Sequence, residues 1–276
     1  MKIIAHRGLR HEAPENTVAS IQGAHVVPGI DGIEFDVEVT ADDMLVVCHQ
    51  ETVTPDDNFR YVDTQHRDLV RDWVREHSCD SIVKLDAGSW MGDAYKGVTI
   101  PTLQDVLKLD WREVRACVEL KDATYWRETR DPSRPQLVAR AAAPVLAQFS
   151  GQMDVISFNP EILRLLPAAN EQFGKVLALW TEWASRKSEA IEAAKRCGAT
   201  GLTLPDIMVL QDPSWISTAH KEGLFAHVYP VSPARNEPEF KKWTADSQRS
   251  KWRELSKLKI DGLVTDFGRE TVAEFR

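Results

Sequence analysis

Gly32-Ile33-Glu34-Phe35-Asp36-Val37 is the stretch that decides the fold. Its period of two sends Ile33, Phe35 and Val37 to one face of a strand and Glu34 and Asp36 to the other. An apolar face suits a covering layer of helices, and an acidic face suits the interior of a barrel. Working outward, short β-branched runs recur at residues 2–6, 114–121, 154–158, 176–180, 201–204, 225–231 and 262–266. Helical patterns fall between them at about 16–26, 102–109, 135–149, 160–172, 185–196, 213–221 and 237–257. Eight strands alternating with helices predict an α/β fold, a (β/α)8 TIM barrel that takes up residues 1–276 as one domain.

One apolar run, residues 44–49, lies outside that alternation, because only Ala41-Asp42-Asp43 separates it from the second strand. A parallel crossover takes a dozen or more residues, so this run must return antiparallel, as a hairpin extending the second strand. If Thr40 faces Met44, Asp36 lies opposite Cys48 and His49 is carried back beside Glu34 and Asp36. Residues 50–100 are the least regular region, rich in Asp, Arg and His. They are expected to form an inserted lid or substrate-binding region at the mouth.

A formal net charge of −8, with 34 basic and 42 acidic residues and no Lys/Arg run, argues against a general nucleic-acid binder. Any phosphate must be held by a few placed cations. His6 and Arg7 interrupt Ile3-Ile4-Ala5 before a signal sequence could develop, and no later stretch approaches the roughly 20 apolar residues of a membrane span. The expectation is a cytoplasmic protein without a membrane span. Cys48, Cys79, Cys117 and Cys197 show no CxxC spacing, so neither a zinc site nor a disulfide framework is expected. Cys48 and Cys117 read as small buried hydrophobes.

Glu34 and Asp36 on one face would repel and stay partly protonated unless a cation joins them. Hard oxygen donors without thiolates suit Mg2+ or Ca2+ better than zinc, and salt bridging to Arg or Lys is an equal reading of this pair. The strand ending Glu119-Leu120-Lys121 repeats the device: Glu119 is a third candidate ligand and Lys121 a phosphate partner, with a simple internal ion pair as the alternative. Arg7 suits bidentate phosphate binding, and Gly8 permits a close backbone approach or a positive φ. His6 and His49, returned to one mouth, can divide general base and general acid between them. Pro14-Glu15-Asn16-Thr17 reads as a helix entry with Asn16 as cap, or with Glu15 or Asn16 facing the site. Trp180 and Tyr229 are candidate pocket residues, and His227 shares the parity of Tyr229. His11, His25, His66, His77 and His220 are assigned to solvated positions.

Taken in order, His6-Arg7-Gly8, Pro14-Glu15-Asn16-Thr17, Gly32 to Val37, His49, Pro101-Thr102-Leu103, Glu119-Leu120-Lys121, Ser157-Phe158 and Asp261-Gly262-Leu263-Val264-Thr265-Asp266 resemble the glycerophosphodiester phosphodiesterase family. The resemblance runs from residue 3 to residue 266. It implies a (β/α)8 fold and hydrolysis of a small-molecule phosphodiester to an alcohol and a phosphomonoester, glycerol 3-phosphate in the family. It also implies one divalent ion, Ca2+ or Mg2+, held by Glu34, Asp36 and Glu119. Arg7 and Lys121 would neutralise the phosphate, and His6 and His49 would exchange protons. In the family a neighbouring substrate hydroxyl is thought to attack first, giving a cyclic phosphate that water opens; direct attack by water would need the same residues.

The chain departs from the family pattern in two places. After the second histidine the family has Asp and then an Arg-Thr-Thr run, where this chain reads Gln50 and Glu51-Thr52-Val53-Thr54-Pro55. Near residue 229 the family has Trp-Thr-Val-Asn, where this chain reads Tyr229-Pro230-Val231-Ser232. The proton-transfer and metal positions are kept and the alcohol-facing positions differ. This leaves open the same chemistry on a sugar or polyol phosphodiester, such as an agrocinopine-like opine. A lyase that stops at the cyclic phosphate and a barrel that only binds phosphodiesters are the remaining alternatives; the argument for the latter is the carboxylate missing at Gln50, whose loss can misorient a histidine or a metal ligand.

Overall fold

In a computed structural model of the chain, the structure describes residues 1–49, 74–122, 131–232 and 242–276. Its strands are β1 (Lys2–His6), β2 (Gly32–Val39), β3 (Leu45–Val47), β4 (Arg115–Leu120), β5 (Met153–Ser157), β6 (Phe173–Ala178), β7 (Gly201–Pro205), β8 (Phe225–Tyr229) and β9 (Gly262–Thr265). All but β3 run parallel, each beside the next, and β9 closes on β1 to complete an eight-stranded barrel. The helices are α1 (Val18–His25), α2 (Cys79–Ile82), α3 (Leu103–Leu107), α4 (Arg134–Leu146), α5 (Pro160–Leu165), α6 (Lys187–Arg196), α7 (Asp206–Gln211), α8 (Ser214–Lys221), α9 (Ala245–Lys257) and α10 (Gly268–Phe275). No helix among the described residues is long and apolar enough to cross a membrane.

β3 pairs antiparallel with β2 in the expected register, Val37 opposite Val47 and Val39 opposite Leu45, and the Thr40 N–H donates to the Met44 carbonyl at 2.9 Å. β2 therefore runs two residues past Val37, because the hairpin supplies partners for its end. Three helices differ from the sequence reading for local reasons. α1 starts at Val18, since Thr17 and not Asn16 is its cap and closes a reciprocal capping box with Ser20. α5 ends at Leu165, because Leu166 precedes Pro167 and is driven to an extended ψ of 159°. α9 starts after Thr244, whose capping box with Ser247 fixes its entry; residues 237–241 of the expected helix lie outside the described residues. α2, α7 and α10 are additions to the sequence reading.

Outward-facing strand residues such as Ile33, Phe35, Val37, Val118 and Val155 pack against the helices in the main core. Inside the barrel Ile4, Cys117, Ile156, Val176, Ala178 and Val264 form a separate apolar layer. At the N-terminal end, glycines make room for bulky neighbours. A Cβ on Gly174 would meet the Asp154 carboxylate at 2.1 Å, one on Gly201 the Phe225 ring at 2.3 Å, and one on Gly262 the His227 ring at 2.6 Å. Packing thus fills that end, and a ligand has room at the C-terminal mouth.

The described half of the insertion, residues 74–100, docks beside the hairpin. Val74, Cys79, Ile82, Leu85 and Ile100 bury against Val46 and Cys48 of the returning strand. Asp86 accepts hydrogen bonds from the Gly88, Ser89 and Gly97 amides, and Tyr95 Oη donates to the Glu12 carbonyl at 2.5 Å. Residues 50–73, including Gln50, His66 and the Glu51 to Pro55 stretch, lie outside the described residues. The four cysteines are buried, and none is joined in a disulfide.

Candidate active site

β1 ends on the inward-facing His6, and the chain then turns through Arg7 (φ 56°) and Gly8 (φ 76°). Gly8 is required by packing as well as by φ: a Cβ there would lie 2.5 Å from the Ser20 carbonyl carbon of α1. The turn aims the Arg7 N–H at Glu34 Oε2, 3.2 Å away, and brings its guanidinium to Glu15 (2.8 Å) and Asp36 (3.1 Å). Glu15 also takes Arg10 at 2.8 Å. Asn16, with φ 58°, leaves the helix cap to Thr17 and grips Asp36 twice: its Nδ2 donates to Oδ2 at 2.8 Å, and its Oδ1 accepts from the Asp36 N–H at 3.1 Å. From β4, Lys121 reaches Asp36 at 2.8 Å and Glu119 at 2.5 Å.

The geometry bears on both readings of the carboxylates. Glu34, Asp36 and Glu119 each offer an oxygen within 4.8 Å of the others, a cluster that could hold a metal ion. Asp36 and Glu119 are salt-bridged, whereas Glu34 Oε1 is buried and meets no donor among the described residues. Three carboxylates face two cations, Arg7 and Lys121, which leaves one excess negative charge. One divalent ion and one phosphodiester anion together bring that set to neutrality. An orphaned buried oxygen in an all-oxygen donor set fits a hard divalent cation.

Protonation follows the same imbalance. Burial, then Asp36 and Glu119, push Glu34 well above the usual carboxylate range, against Arg7 and Lys121. Burial raises Glu119 too, with Lys121 opposing it. Burial acts in the same direction on Asp36, but Lys121 and Arg7 outweigh it and hold that carboxyl well below its ordinary value. Burial works against the charge of Lys121, yet Asp36 and Glu119 keep the ammonium firmly protonated.

His49 returns on the hairpin to line the same cavity. Burial, Arg7 and Lys121 hold its pKa well below the ordinary value, which favours the neutral imidazole. Burial and Arg7 lower His6 as well, opposed by Asp266. His6 Nδ1 lies 2.6 Å from Asp266 Oδ1, and its Nε2 faces inward, 3.8 Å from Glu34. Arg10 shares Asp266 Oδ1 at 2.9 Å, and Trp243 Nε1 donates to Oδ2 at 2.9 Å. Sequence reasoning missed Arg10, Trp243 and the contact of Asp266 with His6. The available signal was parity: Gly262, Val264 and Asp266 point inward, so a carboxylate ends β9 at the mouth, on the strand that pairs with β1.

The cavity, about 240 Å³, has two unlike sides. His6, Arg7, Glu34, His49, Glu119 and Lys121 form one. Ile156, Phe158, Ala178, Trp180, Tyr229, Pro230, Val231 and Val264 form the other, with Thr203 and Ser232 as hydroxyls. Phe158 and Trp180 stack at 4.5 Å, and Tyr229 stands edge-on to both, its hydroxyl donating to the Leu179 carbonyl at 2.8 Å. Trp180 and Tyr229 are thus on the wall. His227 is not: it fills the layer below, where burial and then Lys2 lower its pKa to about 3. His11 and His25 are half-buried against Phe267 and Trp111 rather than solvated, and His220 pairs with Asp261 at 2.8 Å.

The model of the glycerophosphoryl diester phosphodiesterase family matches residues 6–269. A glycerophosphodiester phosphodiesterase of Bacillus subtilis (strain 168) is 29% identical over 246 residues, 83% of this chain and 76% of that one. Identity reaches 40% over 121 residues of the B. subtilis protein YhdW, and over 107 residues of a glycerophosphodiester phosphodiesterase from Caldanaerobacter subterraneus. The chain spans less than half the length of those two relatives, 45% and 39%, and those stretches cover 44% and 39% of this chain. Among solved structures, an Oleispira antarctica phosphodiesterase in complex with the product sn-glycerol-3-phosphate superposes with a TM-score of 0.74 at 20% identity, covering 99% of this chain and 96% of that one. A glycerophosphodiester phosphodiesterase from Agrobacterium tumefaciens gives 0.69 at 23% identity, with 99% of each chain covered. At these identities the structural likeness bears on the fold.

Proposed function

Since the chain belongs to the glycerophosphoryl diester phosphodiesterase family, a family of phosphoric diester hydrolases, we propose that it cleaves a glycerophosphodiester-type substrate to an alcohol and glycerol 3-phosphate. The observation that carries this reading is the meeting of His6, His49, Arg7, Lys121, Glu34 and Glu119 in one cavity. Glu34, Asp36 and Glu119 hold one divalent ion, Ca2+ or Mg2+. When bound, such an ion supplies positive charge to the phosphate oxygens. Arg7 and Lys121 share that task, kept cationic by the carboxylates around them. Trp180 and Tyr229 contact the organic part of the substrate.

Proton traffic follows from the histidine partners. Asp266 accepts the Nδ1–H of His6, which leaves the Nε2 lone pair facing the cavity and stabilises the imidazolium once it forms. His6 is thus the natural acceptor for the proton of an attacking glycerol hydroxyl. Its oxygen bonds to phosphorus as the bond to the leaving alcohol breaks, and that alcohol oxygen takes a proton from His49. His49 must carry a proton for this step, which it takes up with the substrate, whose anionic phosphate favours the imidazolium beside Arg7 and Lys121. Water then opens the cyclic phosphate through the same pair in reverse, giving its proton to His49 as His6 protonates the departing ring oxygen.

The test is phosphorus NMR of the purified protein with glycerophosphodiesters and sugar phosphodiesters, after EDTA treatment and after Ca2+ or Mg2+ is restored. Ion-dependent glycerol phosphate formation is the expected result. A sugar phosphomonoester would replace glycerol as the substrate class, a persistent cyclic phosphate would make the protein a lyase, and binding without turnover would remove the catalytic reading.

A further inference from the structure

Asp266 serves two competing donors. Its Oδ1 contacts His6 Nδ1 at 2.6 Å and Arg10 Nη1 at 2.9 Å, while Arg10 Nη1 lies 3.4 Å from the same imidazole nitrogen. Arg10 is permanently charged and anchored by Glu15, so in an unconstrained arrangement it would draw both carboxylate oxygens into its fork and away from the histidine. What prevents that rotation is on the other oxygen: Trp243 Nε1 donates to Oδ2 at 2.9 Å and fixes the plane of the carboxylate. The Thr244–Ser247 capping box sets where α9 begins and thereby where Trp243 stands. Lys251, one turn and a half along α9, lies 5.3 Å over the Trp243 ring and ties down to Asp206 at 2.8 Å.

We propose that Trp243 is a positioning residue for the reaction: by pinning Asp266 it keeps His6 Nδ1 bonded and its Nε2 aimed into the cavity. The inference rests on the reading of His6 as a proton-transfer residue. Trp243 lines neither the phosphate side nor the aromatic wall of the cavity, and its hydrogen bond to Asp266 is its direct link to His6. Loss of the indole N–H leaves Asp266 free to turn toward Arg10, and His6 then samples orientations in which Nε2 no longer meets the substrate. The predicted signature is a fall in kcat with KM little changed, since phosphate binding by Arg7 and Lys121 is untouched.

The experiment compares Trp243→Phe, which keeps an aromatic ring but not the donor, with Glu274→Gln. Glu274 pairs with Arg249 and Arg253 of α9, so its loss loosens the packing of that helix without touching Asp266. Trp243→Phe should lower kcat about tenfold, with KM within twofold, and should shift the low-field Nδ1 proton resonance of His6 in the NMR spectrum. Glu274→Gln should lower the melting temperature and leave both kcat and that resonance unchanged. An unchanged kcat and resonance in Trp243→Phe would overturn the proposal, and so would an equal kcat loss in both variants, which would mark a general dependence on α9 packing. If the wild-type protein itself turns over no phosphodiester, the underlying functional reading fails; the resonance shift still tests the contact with His6.

Discussion

The two sides of the cavity are built from different strands and by different rules. On the side of β1, β2 and β4, most of the charged groups are held by one another: Arg7 by Glu15 and Asp36, Lys121 by Asp36 and Glu119, His6 by Asp266. On the side of β5, β6 and β8, the surface is rings and aliphatic carbon, and the Tyr229 hydroxyl is turned away to a backbone carbonyl. Fixed charges and dipoles suit a reaction whose charge develops at one place, the phosphorus centre. A wall of low polarity suits the variable organic part of a substrate, where a misplaced methylene costs little and selectivity is modest. Under the proposed function, reaction type and substrate choice are separable in this barrel.

The largest effects should come from the charged side. His6→Ala and His49→Ala are each expected to lower kcat by about 10²–10⁴-fold, with circular dichroism unchanged, because each removes one proton-transfer partner. A residual rate near that of the wild type in either variant would break the assignment.

Glu34→Gln comes next. Its folded-state pKa is raised, so the folded protein holds this proton more tightly than the unfolded chain. Ion-free stability should therefore fall as pH rises from the ordinary glutamate value through the raised one. The variant should lack that decline. It should also lose the thermal stabilisation given by Ca2+ or Mg2+, about 2.7 kcal/mol at an ion concentration a hundredfold above Kd. Scanning calorimetry at several pH values, with and without the ion, measures both.

On the aromatic side, Trp180→Ala is expected to change the ratio of kcat/KM between substrates with large and small alcohol groups by about tenfold, with little change in kcat for the smaller one. An equal loss for every substrate would erase the distinction between the two sides. The smallest effect belongs outside both: Tyr95→Phe, which frees the Glu12 carbonyl, should cost about 1 kcal/mol in denaturant unfolding and leave kcat alone.

The charged side was also the legible one. Glu34 and Asp36 show their common face through strand parity, and the three-residue turn before Met44 admits only a hairpin, which is why the register that brings His49 home could be worked out from spacing. The same logic does not reach pairings between chain ends. Asp266 meets His6 across 260 residues because β9 closes on β1, and only a completed barrel puts them together. Arg10 and Trp243 sit on connecting segments, where no periodicity fixes the direction of a side chain. His227 shows the limit of parity in the other direction: it shares a face with Tyr229, but two residues of β-strand rise place it a layer below the cavity, packed over Gly262. α7 follows β7 without a connecting turn, since Pro205 ends the strand and caps the helix at once, so no break in the sequence announces it.

The central claim is that His6 and His49 divide the proton transfers, with His49 serving the leaving alcohol. It is tested most directly by measuring turnover of His49→Ala on two glycerol phosphodiesters, one with an alkyl alcohol and one with 4-nitrophenol, which departs without needing a proton. His49→Ala is expected to lose activity on the alkyl ester and keep most of it on the nitrophenyl ester, whereas His6→Ala loses both. Equal losses on the two esters in His49→Ala would contradict it.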